Sequence, residues 1–377
     1  MARQAEHRWV EDRKGLDELR EVLETGQSLA LDSESNSGFV YEEKLCLLQL
    51  NHGQDVWLVD LLTLPGGERA LEPLRRILED PKYVVLAHGG EFDVGCLKRD
   101  YGIALAGIWD SQQAASFLGW ERTGYGAVVE RICDVHLPKA HTRHDWGQRP
   151  IAGGELQYAI NDVLYLPRIA AELRLEVQEA DLEEEVSIAC GAVEQATWNG
   201  GYKPSSLWAI KGVRRLSEEA LPVLMALYSW RDSLARELDL PAGRALNNEV
   251  LVALARNTPT CLEELKRLGV PKRVTGRWAA ELLDVIGEAR RTPPDLPPQP
   301  AKKAFDRQIQ RRGDRLKKWR REEAERRQVP MQVVLPLTAL KHLQHYGSEQ
   351  LESVPQLGDK RIRLYGETLR RLDATQP

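Results

Sequence analysis

Every strand-like run in this chain lies before Gly89, and that asymmetry limits what the chain can fold into. Short apolar runs at Ser28–Leu31, Leu45–Leu50, Val56–Val59 and Tyr83–Ala87 have the length and composition of strands. The first three are close enough in sequence to pair as a meander. Helical spacing separates or follows them at Leu16–Thr25, Leu71–Glu79, around Leu97, at Gln112–Leu118 and at Val128–Cys133. Strands mixed with helices around one sheet predict an α/β domain. Asn199-Gly200-Gly201 breaks the pattern, and the text from Ser217 to Ala289 is helical throughout. At 377 residues the chain is too long for a single small core, so several domains are expected.

The helical part repeats itself. Trp230-Arg231 is followed by Pro241, and Trp319-Arg320 by Pro330 at the same spacing; the runs LVALA and LTALKHL continue the two copies. VPKR ending at Arg273 finds a partner in LGDKR ending at Arg361. Between the copies, TPPDLPPQP reads as a stiff proline-rich linker. The expected organisation is an α/β domain over 1–200, a helical domain over 201–291, the linker at 292–301, and a second, degenerate helical copy over 302–377. Trp230 and Trp319 read as core anchors. The acidic stretch Glu183–Glu185 reads as a solvated face.

Three segments of the first domain carry acids in positions suited to chemistry. SLALDSESNS places Asp32 and Glu34 two apart at the end of a strand, on one face. HGGEFDVGCL places Asp93 just after the run Tyr83–Ala87, at the start of the following helix. LQYAINDVLYL is helical in spacing and sets Tyr158 and Asp162 four apart, on one helical face. Four carboxylates without histidine or cysteine ligands suit Mg²⁺ or Mn²⁺ and argue against zinc.

In this order the segments resemble the three motifs of the DEDD, or DnaQ-like, 3′→5′ exonucleases. Tyr158 marks the DEDDy subclass; the histidine subclass would need His at the position held by Gln157. The stretches KLCLLQL from Lys44 to Leu50 and DWGQRP from Asp145 to Pro150 are similar to those of ribonuclease D proteins, over roughly Trp9 to Val177. The two helical copies resemble HRDC domains. One departure is Gly89, where many relatives have Asn after the histidine of the second motif.

The resemblance implies an α/β ribonuclease H-like exonuclease domain followed by two all-α HRDC-like domains. It also implies two divalent metal ions, with Asp32 bridging them, Glu34 and Asp162 completing the first and Asp93 supporting the second. Tyr158 would align the attacking water. The activity implied is release of 5′-mononucleotides from RNA 3′ ends, tRNA precursors among them. A 3′→5′ exonuclease acting on DNA and a non-catalytic nucleic-acid-binding protein are the alternatives. His88, Lys139, Arg143 and Arg149 are candidate substrate contacts, and Asp110 is expected to cap a helix.

Charge and composition fit a nucleic-acid partner. Residues 1–200 hold 19 Lys and Arg against 35 Asp and Glu, whereas residues 201–377 hold 33 against 22. A basic second half attracts a phosphate backbone. The run at 302–327, with 12 basic and 5 acidic residues, reads as a basic helix that either tracks phosphates or carries Glu–Arg pairs. No run of about 18 apolar residues exists, so no membrane span is expected. Cys46, Cys96, Cys133, Cys190 and Cys261 are scattered, as reduced thiols of a cytoplasmic protein would be.

Overall fold

The computed structural model describes residues 6–53, 55–138, 144–300 and 306–374. The chain divides into two compact units, one of Met1–Ser35, Leu45–Trp198 and Ala304–Pro377, the other of Asn36–Lys44 and Asn199–Lys303.

The first unit is built on a six-stranded sheet. In chain order its elements are β1 (His7–Val10), α1 (Arg13–Glu24), β2 (Ser28–Ser35), β3 (Leu45–His52), β4 (Asp55–Asp60), α2 (Glu72–Leu78), β5 (Val84–Ala87), α3 (Glu91–Tyr101), β6 (Ile108–Asp110), α4 (Ser111–Phe117), α5 (Tyr125–Cys133), α6 (Gly153–Leu164), α7 (Leu166–Glu179) and α8 (Glu183–Glu194). The strand order is β1-β4-β3-β2-β5-β6. β2, β3 and β4 form the expected antiparallel meander, while β5 and β6 extend it in parallel beyond β2. Two strands were not legible in the sequence. β1 is an edge strand with one fully buried residue, Val10, and β6 is three residues long.

Each sheet face has its own cover. Leu29, Leu31, Leu48, Leu50, Val59 and Val85 pack with Leu16, Leu19 and Leu23 of α1 and with Val94 and Leu97 of α3. The alternate residues Ala30, Leu47, Val56, Leu58 and Leu86 pack with Ala159, Ile160 and Val163 of α6 and with Leu166 and Ala170 of α7. This period-two division assigns Asp32 and Glu34 to the face that α6 covers. α1 starts where the Asp12 carboxylate accepts from the Gly15 N–H at 2.8 Å, and its apolar stripe follows the helical period.

The second unit holds α9 (Ala220–Glu237), α10 (Ala242–Ala245), α11 (Asn248–Asn257), α12 (Leu262–Arg267), α13 (Lys272–Arg277) and α14 (Ala279–Arg291). Trp230 is a buried anchor as expected, its indole N–H donating to Glu281 at 2.6 Å. The proline-rich segment is more than a spacer. Leu296 packs on the helical core, and the Pro297 carbonyl accepts from the Trp208 indole at 3.1 Å. Residues 36–44 also belong to this unit, where the Tyr41 hydroxyl donates to Asp232 at 2.8 Å and Phe39 lies under the Arg244 guanidinium.

The second helical copy comprises α15 (Arg307–Arg327), α16 (Met331–Val334), α17 (Leu337–Tyr346) and α18 (Asp359–Ala374). The basic run is helical, and Arg326 pairs with Glu323, Arg312 with Asp373 and Lys317 with Asp314. Trp319 packs edge-on against Tyr365 in this copy's core.

This copy is part of the first unit, and it overturns the solvated reading of Glu183–Glu185 at Glu185, while Glu183 stays exposed. Glu185 is 2% exposed and meets the Lys360 ammonium at 3.2 Å, while Glu184 accepts from the Lys360 backbone N–H at 2.8 Å. Arg361, 1% exposed, donates to the carbonyls of Gln332, Val333, Gln356 and Leu357. A run of three glutamates looks solvated until the lysine that neutralises it arrives from a segment far along the chain. Removing one member of a buried pair strands the other charge, at a cost of about 3–5 kcal/mol, whereas removing both is close to neutral. Lys360→Met is therefore expected to lower unfolding stability by about 3 kcal/mol in chemical denaturation. Adding Glu185→Leu should restore most of it; a double variant as unstable as the single would count against the pair.

Candidate active site

The acids of the first two motifs meet at the carboxyl ends of β2 and β5, the position where open α/β sheets place their sites. Asp32 and Glu34 are carried by β2, with the pairing register shifting between Glu34 and Ser35. α6 crosses the same face and brings Asp162. One carboxylate oxygen from each of Asp32, Glu34 and Asp162 lies within 4.8 Å of the other two.

Asp93 arrives from the first turn of α3 and is buried. The Ser33 hydroxyl, between the two acids of β2, donates to the Asp93 carboxylate. Its turn is set by Asp110, which accepts from the Gly90 N–H at 2.9 Å and from Gln112 and Gln113, the cap expected of it. Gly89 has φ +71°, a conformation that glycine and asparagine adopt most readily. The departure at this position therefore keeps the backbone requirement.

Tyr158 lies one helical turn before Asp162, packs against the buried Trp146 ring at 5.9 Å, and hydrogen-bonds the Asp162 carboxylate. The turn carrying Asp162 is anchored twice. The Tyr125 hydroxyl donates to the Asn161 carbonyl at 2.7 Å, and the Asn51 amide donates to the Val163 carbonyl at 3.0 Å.

The electrostatics of the four acids describe a cluster that needs counter-charge. Burial raises Glu34 to about 9, with Asp162 and Asp93 adding repulsion. Burial raises Asp162 to about 8, against the Tyr158 hydrogen bond that favours its charged form. Asp93 rises to about 6, burial again outweighing the Ser33 bond. Asp32 stands well above the usual carboxylate range through burial and then the charges of Asp93, Asp162 and Glu34. Buried carboxylates that repel one another ionise together only beside cations. An all-oxygen donor set suits hard divalent ions, so these residues fit the metals that the motif pattern implies.

Two of the candidate substrate contacts have partners within the protein. Arg149 is committed to the protein: its guanidinium grips Asp60 with two bonds of 2.7 Å and also donates to the Trp146, Gln148 and Cys46 carbonyls. The signal for this was Asp60 at the end of an apolar strand, a buried acid in need of a bidentate partner. His88 is half-buried, with Nδ1 2.9 Å from the Ser111 hydroxyl and its ring edge against Tyr125 at 5.3 Å. Desolvation lowers it to about 4, so its imidazole is neutral at physiological pH. Lys139 and Arg143 lie outside the described residues. Sequence reasoning missed Ser33, Asn51 and Tyr125, which hold the acids in place without carrying motif signatures.

The 3′-5′ exonuclease family profile matches residues 7–178, and the HRDC domain profile matches twice, at 220–286 and 310–372. Among curated relatives, ribonuclease D of Escherichia coli is 30% identical over 76% of this chain and 76% of its own length. Ribonuclease D of Pseudomonas paraeruginosa is 29% identical over 78% of this chain and 79% of its own. The crystal structure of E. coli RNase D, described as an exoribonuclease involved in structured RNA processing, superposes with a TM-score of 0.73 at 25% identity, over 98% of this chain and 100% of that one. The fold and its acidic centre define a 3′→5′ exonuclease with helical appendages. Within that class, the chain belongs to the ribonuclease D family, and its activity is that of a 3′→5′ exoribonuclease.

Proposed function

We propose that this enzyme trims the 3′ ends of structured RNA, tRNA precursors among them, in the cytoplasm, using two divalent cations, Mg²⁺ or Mn²⁺. The observation that carries the metal reading is the convergence of Asp32, Glu34 and Asp162 within 4.8 Å, with Asp93 coupled to them through Ser33. Asp32, Glu34 and Asp162 would hold one cation, with Asp32 shared and Asp93 supporting the second. When bound, such cations lower the pKa of attacking water and stabilise the departing 3′ oxygen. Tyr158, fixed by Trp146 and by its bond to Asp162, is placed to orient that water. Its hydroxyl can donate one hydrogen bond and accept another, which suits it to position that water. The structured-RNA substrate is supported by the E. coli relative, and a phosphate-attracting surface by the basic second half of the chain.

The test is time-resolved cleavage of a 3′-tailed RNA hairpin and its DNA twin with Mg²⁺ or Mn²⁺. Stepwise 5′-nucleotide release from RNA, abolished by chelation, is the expected result. Equal or faster release from the DNA twin would transfer the reading to DNA, since the 2′-hydroxyl is what separates the two. Tyr158→Phe is expected to lower kcat by roughly 10²-fold with KM nearly unchanged, because a positioned proton partner acts mainly in the transition state. A change confined to KM would instead place Tyr158 in substrate binding.

A further inference from the structure

Gln49 stands where an apolar residue would be expected. It lies in the central strand β3, is 0% exposed, and neither its amide nitrogen nor its carbonyl oxygen has a hydrogen-bond partner in the protein. A buried carboxamide with both ends unpaired is destabilising, and a side chain of the same volume without polar atoms would avoid that cost. Its neighbour in register explains its presence. Gln49 is directly opposite Asp32 in the antiparallel β2–β3 pair, with Leu58 of β4 on its other side. Residues directly opposite in such a pair project from the same face with Cβ atoms about 4.5–5.5 Å apart. That face is the one α6 covers, and two residues along it the Asn51 amide nitrogen donates to the Val163 and Leu164 carbonyls at the end of α6, its own carbonyl oxygen staying unpaired. Gln49 is thus an unused carboxamide beside the acid at the centre of the cluster.

We propose that Gln49 is a positioning residue for the metal centre, its amide N–H donating to the Asp32 carboxylate when the cations are bound. Carboxylates that ligate metals are themselves hydrogen-bonded, and such partners set ligand orientation. The Gln49 carbonyl oxygen is then the acceptor available to the water that hard cations retain. The inference rests on the two-cation reading above and adds to it a residue outside the three acidic motifs.

Mn²⁺ titration followed by electron paramagnetic resonance, with thermal unfolding in EDTA, tests it on the full chain. Gln49→Met keeps volume and removes both polar ends. The expected result is a roughly 10- to 100-fold weaker Mn²⁺ affinity with an unfolding midpoint in EDTA equal to or above that of the unaltered protein. Gln49→Leu is read the same way if methionine packs poorly. A midpoint in EDTA lowered in both variants would make Gln49 an ordinary structural residue and overturn the proposal. Affinity within twofold of the unaltered protein would also overturn it, leaving the two-cation reading intact. No Mn²⁺ binding by the unaltered protein would remove both together.

Discussion

Asp32→Asn is expected to reduce nucleotide release by roughly 10³-fold or more, a loss of about 4 kcal/mol of transition-state stabilisation. Asp32 is the acid with the most acidic neighbours in the cluster: it interacts with Asp93, Asp162 and Glu34 and is half-buried on the sheet face that α6 covers. Asparagine keeps its shape and removes its charge, so on the two-cation reading proposed above the cations would lose the ligand they share. The fold has no such need of the charge. In the metal-free protein desolvation and the neighbouring carboxylates push Asp32 well above the usual carboxylate range, and an asparagine relieves the same crowding without a charge. The unfolding midpoint in EDTA should therefore be unchanged or higher. Gel-resolved cleavage of the RNA hairpin, paired with that midpoint, checks both halves. Activity within tenfold of the unaltered enzyme would dismiss the proposed centre. A collapsed midpoint would mean that Asp32 supports the fold, which the cluster's mutual repulsion argues against.

The acids were readable because their spacing obeys the geometry of the elements that carry them. Asp32 and Glu34 needed only the two-residue period of a strand, and Tyr158 and Asp162 only the four-residue neighbourhood of a helix. The residues that hold them were not readable, because their partners are distant in sequence. Ser33 meets Asp93 60 positions on, Tyr125 meets Asn161 36 positions on, and Asn51 meets Val163 112 positions on. The same limit explains Arg149 and Glu185. A lone arginine before a helix resembles a phosphate contact until Asp60 claims it, and a run of glutamates looks solvated until Lys360 is set against it. Of the fold, the meander and the helical repeat were visible, since both rest on periodicity. β6 was missed because three residues are too few to show a period. The docking of the proline-rich segment was missed because composition indicates stiffness, whereas only tertiary contact shows what Leu296 covers.

Metal affinity should rise steeply with pH, and metal-free stability should fall over the same range. In an unfolded chain these carboxyls titrate near 4. In the folded, metal-free protein Asp93 keeps its proton to about 6, Asp162 to about 8 and Glu34 to about 9. Above pH 4 the folded state thus binds more protons than the unfolded one, and stability falls as pH rises. The stabilisation is complete below the unfolded pKa of about 4 and is lost progressively as pH passes each folded value, up to about 9. Cation binding reverses the dependence because it displaces those protons. Each proton released steepens affinity about tenfold per pH unit, so with one to two displaced, Mn²⁺ should bind ~10²- to 10⁴-fold more tightly at pH 8 than at pH 6. Unfolding midpoints in EDTA should decline from pH 5 to 9, while those in saturating Mn²⁺ should hold or rise. His88 does not contribute, since burial keeps it neutral above about 4. A titration calorimeter run in two buffers of different ionisation heat counts the protons directly. Release of none at pH 6 would mean that the acids are already ionised without metal, and the repulsion inferred from their burial would have to be balanced by some other charge.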